Sequence, residues 1–346
     1  MSALQTTPRK ASLLVTGRCN LACSHCTVAS HGEHVEDMPL ELWERVFDRL
    51  AEARVLSATV SGGEPFARSD CTALLGALSR RPLRIAVNTN ATLVGRPEAE
   101  AIASLGSRLS VVMVSIDGAT AQEHDLTRGA GAFDAMTRGV SSLRGAGIVP
   151  GFCLTVTARN AGSLEAVAEL ALELGRWLVM NPFVRSGPCL PGDLMLPSGA
   201  WRTACEEAME LSRRFPGRIR GSLPEMAAAA AEYTAGRAER RSGQGHSCAG
   251  ASGIVTVLPD GRVTPCDHLT HVRLGSLLDT GMEEIFRSDA AKAFRDRIAQ
   301  PLGETPSCSG CAYLDSCTGG CPAPSWDDPG PLGGDPQSCL RLYFGG

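Results

Sequence analysis

No stretch of this chain approaches the roughly 20 consecutive apolar residues a helix needs to cross a bilayer, so no membrane partner is expected. Met1 to Lys10 is polar and carries neither the apolar core nor the cleavage site of a secretory signal. The expectation is a cytoplasmic protein. Positive charge is not in excess: 33 Lys and Arg stand against 37 Asp and Glu, a formal net charge of -4. Phosphate binding needs concentrated Lys and Arg, so no nucleic-acid partner is expected either. A reducing cytosol disfavours disulfides. The chain nevertheless has 14 cysteines, and clustered thiols in that setting point to metal binding or catalysis.

Their distribution is uneven. Three stand in Cys19-Asn20-Leu21-Ala22-Cys23-Ser24-His25-Cys26, and seven lie between Cys248 and Cys339. Cys71, Cys153, Cys189 and Cys205 are scattered and read as ordinary small apolar residues. Four thiolates close an iron–sulfur cluster. The triplet at 19–26 supplies three, which leaves one metal position free for chemistry; zinc binding or simple burial are the plainer readings. At 346 residues, with 43% hydrophobic and 20% charged residues, the chain suits one large soluble domain and a smaller one.

Up to about residue 185 the sequence alternates strand and helix. Strands are predicted at 12–16, 58–61, 84–88, 110–116, 149–157 and 177–184, with helices at 39–53, 71–79, 97–105, 132–146 and 163–174. Such alternation implies a parallel sheet with right-handed crossovers. Six units are too few for the eight-unit closed barrel, so the fold class is α/β, an open or partial (β/α)6 barrel. Loops after strand C-termini carry the chemistry in such sheets. Every polar motif falls there: the cysteine loop, Gly62-Gly63-Glu64-Pro65, Asn88-Thr89-Asn90, and Ser115-Ile116-Asp117-Gly118. Each alone would pass for a turn or a strand end.

Together, Cys19, Cys23 and Cys26 followed by the Gly62–Pro65 loop resemble the radical S-adenosylmethionine (SAM) superfamily. The position before the last cysteine is usually aromatic there and is His25 here. The resemblance implies that Cys19, Cys23 and Cys26 hold a [4Fe–4S] cluster whose open iron is chelated by SAM. Gly62 and Gly63 would let a ligand approach the backbone, with Pro65 closing the loop. Glu64 would accept a hydrogen bond from the methionine amine. Asn88, Ser115 and Asp117 stand where the family places ribose contacts, and Arg128 resembles the arginine that meets the SAM carboxylate.

A second pattern follows a Pro/Gly-rich break at 188–197, helices predicted at 199–215 and 226–240, and a basic segment at 236–245. Cys248, Gly261 and Cys266, then Cys308, Cys311, Cys317, Cys321 and Cys339, resemble the SPASM domain, which carries two auxiliary [4Fe–4S] clusters. Residues 255–266 suit its hairpin, with Asp260-Gly261 as the turn, and 282–286 its helix. Structural zinc is the alternative for Cys-x2-Cys pairs. The resemblance implies that Cys308, Cys311, Cys317 and Cys339 close one auxiliary cluster and that Cys248, Cys266 and Cys321 hold the other. The fourth site of that second cluster is open or filled by water, substrate, His246, Asp267 or His268. The expected division is a tail at 1–10, the partial barrel at 11–185, a helical bridge at 186–245 and the cysteine-rich domain at 246–346.

The cofactors implied are SAM and three [4Fe–4S] clusters. The activity implied is reductive SAM cleavage to a 5′-deoxyadenosyl radical that abstracts hydrogen from a substrate carbon, fed by a flavodoxin- or ferredoxin-like reductant. A peptide or protein substrate is the first expectation: crosslinking, epimerisation or side-chain oxidation of a ribosomally made peptide. Only about ten residues precede the first strand, so the N-terminal leader-binding domain of many peptide maturases is not expected; a separate leader-recognition protein or a small substrate would account for this. A small-molecule or tetrapyrrole oxidoreductase or decarboxylase is the second expectation, and a non-catalytic electron-transfer or zinc-binding protein the third. The sequence names no catalytic acid or base.

Overall fold

The computed structural model describes residues 7–27, 36–186, 192–237, 245–327 and 339–345. Cys189, with residues 188–191 of the first expected break and 238–244 of the second, lies outside the described residues. In chain order the elements are β1 (Lys10–Leu14), α1 (Leu40–Glu52), β2 (Ser57–Ser61), α2 (Cys71–Ser79), β3 (Arg84–Thr89), α3 (Arg96–Ala103), β4 (Leu109–Ser115), α4 (Ala121–Arg128), α5 (Ala132–Gly145), β5 (Gly151–Val156), α6 (Leu164–Leu174) and β6 (Leu178–Pro182). There follow α7 (Ser198–Arg214), β7 (Ile219–Arg220), α8 (Ser222–Thr234), β8 (Ile254–Val257), β9 (Arg262–Thr264), β10 (Gly275–Ser276), α9 (Met282–Arg287), α10 (Asp289–Ala299) and α11 (Leu340–Tyr343). The six strand–helix units expected from the sequence are all present.

Among the described residues two compact units divide the chain. One lies within Met1–Ser115, Arg128–Pro150 and Ala249–Arg295, the other within Ile116–Thr127, Gly151–Cys248 and Asp296–Gly346. In the first, β1 pairs in parallel with β2, β2 with β3 and β3 with β4. On its other side β1 pairs in parallel with β8, and β9 and β10 continue antiparallel. In the second unit β5, β6 and β7 pair in parallel.

Strand β1 explains its own sequence. Flanked on both edges, it buries Ala11, Ser12, Leu13 and Leu14 in a near-continuous apolar run, the pattern of a parallel strand covered on both faces. Leu13 stands beside Val60 of β2 and Val257 of β8. Helix α1 buries Trp43, Val46, Phe47 and Leu50 on a single helical stripe. Each such side chain contributes about 1.5–3 kcal/mol of burial. The outer face of α1 also reaches the later chain: Arg49 Nη1 donates to the carbonyls of Leu277 and Thr280, both at 2.6 Å.

The cysteine-rich segment 246–346 is therefore shared between the units. Its strands β8–β10 and helix α9 extend the first, while the cysteines from Cys308 onward lie in the second. The hairpin turns at Pro259-Asp260-Gly261, where Gly261 has φ 82° and Leu258 N–H donates to Arg262 O at 2.8 Å. Helices α4, α10 and α11 and the two-residue strands β7 and β10 went unanticipated. Helix α8 starts four residues before the predicted 226, because Pro224 sits in its first turn, where proline is tolerated.

Candidate metal and cofactor site

Past Leu14 the chain turns into the cysteine loop without leaving β2. Val15 N–H donates to Ser61 O at 2.9 Å, Gly63 N–H to Thr16 O at 2.9 Å and Glu64 N–H to Arg18 O at 2.8 Å. The loop backbone lies flat on the two glycines. A Cβ at Gly62 would stand 2.4 Å from the Thr16 carbonyl oxygen, and one at Gly63 2.2 Å from that of Arg18. Gly62 has φ 146°, where L side chains are strained. The glycines thus admit the cysteine loop itself. Pro65, buried, opens a short 3-10 turn whose first N–H groups face Glu64.

Two clamps hold the ends of that loop. Buried Arg68 donates from Nη1 to Val15 O at 3.0 Å and from Nη2 to Met38 O at 2.7 Å, so a single guanidinium ties entry to exit. Its charge is met by Asp70, at 2.6 Å and 2.8 Å. The second clamp is Asp37, whose Oδ2 accepts from Thr16 Oγ1 at 2.9 Å and from Arg18 Nε at 3.0 Å.

Within the loop the three cysteines are half-buried and free of disulfides. Cys26 N–H donates to Cys23 O at 3.1 Å, and Leu21 N–H points at Cys19 Sγ at 3.4 Å. Arg128 closes α4 and brings Nη1 to 3.9 Å from Cys23 Sγ. Burial pushes the Cys19 thiol up first. The Leu21 N–H and the Arg128 charge pull it back, while Glu64 and Cys26 add repulsion. Thiolates gathered in this setting need a metal's positive charge. The donor set fits an iron–sulfur cluster with one iron left for another ligand. Among the described residues no three His, Cys, Asp or Glu side chains converge tightly enough for a single metal ion. A four-iron cluster takes one thiolate per iron and spaces its ligands more widely.

Glu64 is fully buried. Its Oε1 accepts from Thr89 Oγ1 at 2.7 Å and Phe66 N–H at 3.2 Å, and its Oε2 from Asn90 N–H at 2.7 Å. Burial raises its carboxyl above the ordinary value despite these donors and the Arg128 charge. The carboxylate therefore links the end of β2 to the end of β3. From there a polar chain runs to the cysteine loop: Asn90 Nδ2 donates to Asn20 Oδ1 at 3.1 Å and lies 3.9 Å from Cys19 Sγ. Thr92 N–H donates back to Asn90 Oδ1 at 2.9 Å. Ala91, between them, sits at φ 61°, in the left-handed region.

The other expected contacts are placed differently. Asn88 is exposed on β3, and Ser115 is half-buried at the end of β4. Asp117 is fully buried in the second unit. There Oδ1 accepts from Thr155 N–H at 3.3 Å, its N–H donates to His124 Nδ1 at 3.2 Å, and its carbonyl accepts from Asn160 Nδ2 at 3.2 Å. Arg68, Asp37, Asn20 and Asn90 are the site residues the sequence reading missed. Asn90 belonged to a named stretch; the strand ends at Thr89, so period-two reading could not tell it from Asn88. Arg68, three residues past Pro65, gave no local signal.

In the second unit, Cys317 is raised first by burial. The Gly319 N–H, 3.4 Å from its Sγ, lowers it, and the neighbouring Cys339 and Cys308 charges push it up again. Cys311 N–H donates to Cys308 O at 3.0 Å. Three of the four cysteines assigned to one auxiliary cluster thus sense one another, and the fourth is on the turn that follows. Cys248 and Cys321 share this unit, and Cys266 follows β9 in the first. Cys71 and Cys205 are buried core residues, with the Cys71 thiol pushed up to about 12 by burial.

Comparison with known proteins gives the family. The model of the radical SAM superfamily matches residues 13–171, and that of the SPASM iron–sulfur cluster-binding domain matches 248–312. The chain belongs to the radical SAM superfamily. It carries a SPASM domain toward its C-terminus. Mycofactocin maturase MftC of Mycobacterium ulcerans is 27% identical over 335 residues, covering 95% of this chain and 87% of that protein. The AdoMet-dependent heme synthase of Nitratidesulfovibrio vulgaris is 27% identical over 339 residues, covering 90% of this chain and 87% of that one. Streptococcus suis SuiB, solved with its precursor peptide SuiA, shares the fold with TM-score 0.77 at 16% identity, covering 96% of this chain and 76% of that one. Among the described residues no helix is long and apolar enough to cross a membrane.

Proposed function

We propose that this radical SAM enzyme modifies a ribosomally made peptide or protein by hydrogen abstraction. The observation that carries the reading is the clamped cysteine loop, whose backbone at Thr16–Arg18 lies against Gly62–Gly63 and whose Cys23 is met by Arg128. Cys19, Cys23 and Cys26 would hold a [4Fe–4S] cluster there, which would supply the one-electron reduction of SAM needed for hydrogen abstraction from the substrate. The chain's residues bind and orient. Cys19, Cys23 and Cys26 hold the metal, and Arg128 offers a cation to the SAM carboxylate. Glu64 holds the β2 and β3 loop ends, where its buried carboxylate also suits the SAM amine. Asn88, Ser115 and Asp117 are proposed for the ribose side.

Residues 11–185 are read as the SAM-cleaving part, 186–245 as a bridge and 246–346 as the auxiliary part. Two further [4Fe–4S] clusters are proposed there, on Cys308, Cys311, Cys317 and Cys339 and on Cys248, Cys266 and Cys321. Clusters held there would offer an exit for an electron from a substrate radical. The peptide reading rests on the relatives: a mycofactocin maturase by sequence and a precursor-peptide enzyme by fold. Heme synthase relatives of similar identity keep tetrapyrrole oxidation as the second reading. A reductant of flavodoxin or ferredoxin type and a separate leader-recognition protein are the proposed partners. The cytoplasm is the proposed location.

Anaerobic reconstitution should load about 11 to 12 irons per chain, on ligand counting. About four irons with bound zinc would remove the auxiliary assignment. Turnover of a short peptide encoded beside the gene, seen as a mass change, supports the first substrate reading. Turnover of an iron tetrapyrrole instead supports the second.

A further inference from the structure

The auxiliary set Cys248, Cys266 and Cys321 brings three thiolates, one short of a closed cluster. Asp267 and His268 are half-buried in the first unit. His246 lies in the second unit with Cys248 and Cys321, and its surroundings differ from those of an ordinary surface histidine.

His246 is 8% exposed. Its Nδ1 lies 2.9 Å from Gly319 O and 3.3 Å from Gly320 O. A carbonyl oxygen only accepts, so Nδ1 carries the proton and Nε2 presents its lone pair. That Nε2 is buried and has no hydrogen-bond partner among the described residues. The backbone is shaped around the ring. Gly319 and Gly320 are left-handed in succession, at φ 74° and 61°, and a Cβ at Gly319 would come within 2.7 Å of Nδ1. The segment leading to Cys248 is fixed at the same place: His246 N–H donates to Ile298 O and Ser247 N–H to Thr318 O, both at 2.8 Å. Cys321 follows Gly320 directly, and Cys248 lies two residues past the ring.

A metal-bound histidine characteristically donates its other ring N–H to a backbone carbonyl, which fixes the tautomer and aims the lone pair. His246 has that outer half of the arrangement, with an inner lone pair that nothing described satisfies. We propose that His246 Nε2 is the remaining ligand of the cluster held by Cys248 and Cys321, closing it with imidazole. This rests on the auxiliary-cluster reading above. It makes that cluster a coordinatively filled electron carrier rather than a substrate-binding one.

The test is pulsed EPR on the reduced, reconstituted full chain without SAM, with histidine carrying nitrogen-15. The expected result is a strongly coupled imidazole nitrogen in the wild type. In His246→Cys it disappears while the iron content stays at the wild-type level, because a thiolate replaces the imidazole. His246→Ala should lose the same signal. No coupled imidazole nitrogen in a fully loaded wild type, or a signal that survives His246→Cys, overturns the assignment and leaves the auxiliary clusters standing. Iron of about four per chain in the wild type overturns the cluster reading itself.

Discussion

At the scale of single residues, the site depends on what Gly62 excludes and on what Glu64 holds. Gly62→Ala puts a Cβ against the Thr16 carbonyl at a φ that L residues avoid. It should cost about 1–3 kcal/mol and lower the iron held by the first cysteine loop, read by urea unfolding and iron assay. Unchanged values in both would contradict the packing described. Glu64 yields a pH signature. Its folded carboxyl is raised by burial above the ordinary 4.5, so the folded chain keeps a proton that the unfolded chain has already released. Stability should fall as pH rises from about 4.5 through the raised value. Glu64→Gln cannot titrate, so metal-free wild type should lose stability relative to this variant across that window, measured as urea midpoints. A difference that stays flat with pH would remove the raised carboxyl. The cysteines and Gly62–Glu64 were legible because their spacing is local. Asn90 and Arg68 were not, since their partners lie 71 and 53 residues away, at Cys19 and Val15.

Elements tell the same story at longer range. Strongly periodic segments such as α1, α2 and the apolar strands were readable because one face or both are buried. Helix α4 was not, since Ala121–Arg128 is short and polar and packs through His124, Thr127 and Arg128 rather than an apolar stripe. That helix matters because its last residue delivers the guanidinium beside Cys23. The cysteine loop is an element too, and Arg68 is its fastener. Arg68→Met strips donors from the Val15 and Met38 carbonyls and leaves Asp70 without its partner. It should destabilise by about 2–4 kcal/mol and release the first cluster before the auxiliary ones, seen as iron loss with the auxiliary EPR signals retained. Arg68→Lys should recover only part, because an ammonium lacks the fork that spans both loop ends. Equal loss of all clusters would argue that Arg68 supports the fold generally.

For the whole molecule, a late hairpin joins the first strand of the chain within one unit. The hairpin of the SPASM segment is bonded to β1, the strand that launches the cysteine loop. Nothing local in Ile254–Val257 announces which strand it will join, so this pairing was not legible. A chain ending at Arg237 would expose β1 as an open edge. Backbone amides of Ala11–Leu14 should then exchange faster than in the full chain, and undiminished protection would contradict the role given to β8. The central claim is that Cys19, Cys23 and Cys26 hold the cluster that cleaves SAM. Its most direct test is 5′-deoxyadenosine formation by anaerobically reconstituted protein given SAM and a strong reductant. The wild type should form it and the chain with all three cysteines replaced by Ala should form none; continued formation by that variant would contradict the account.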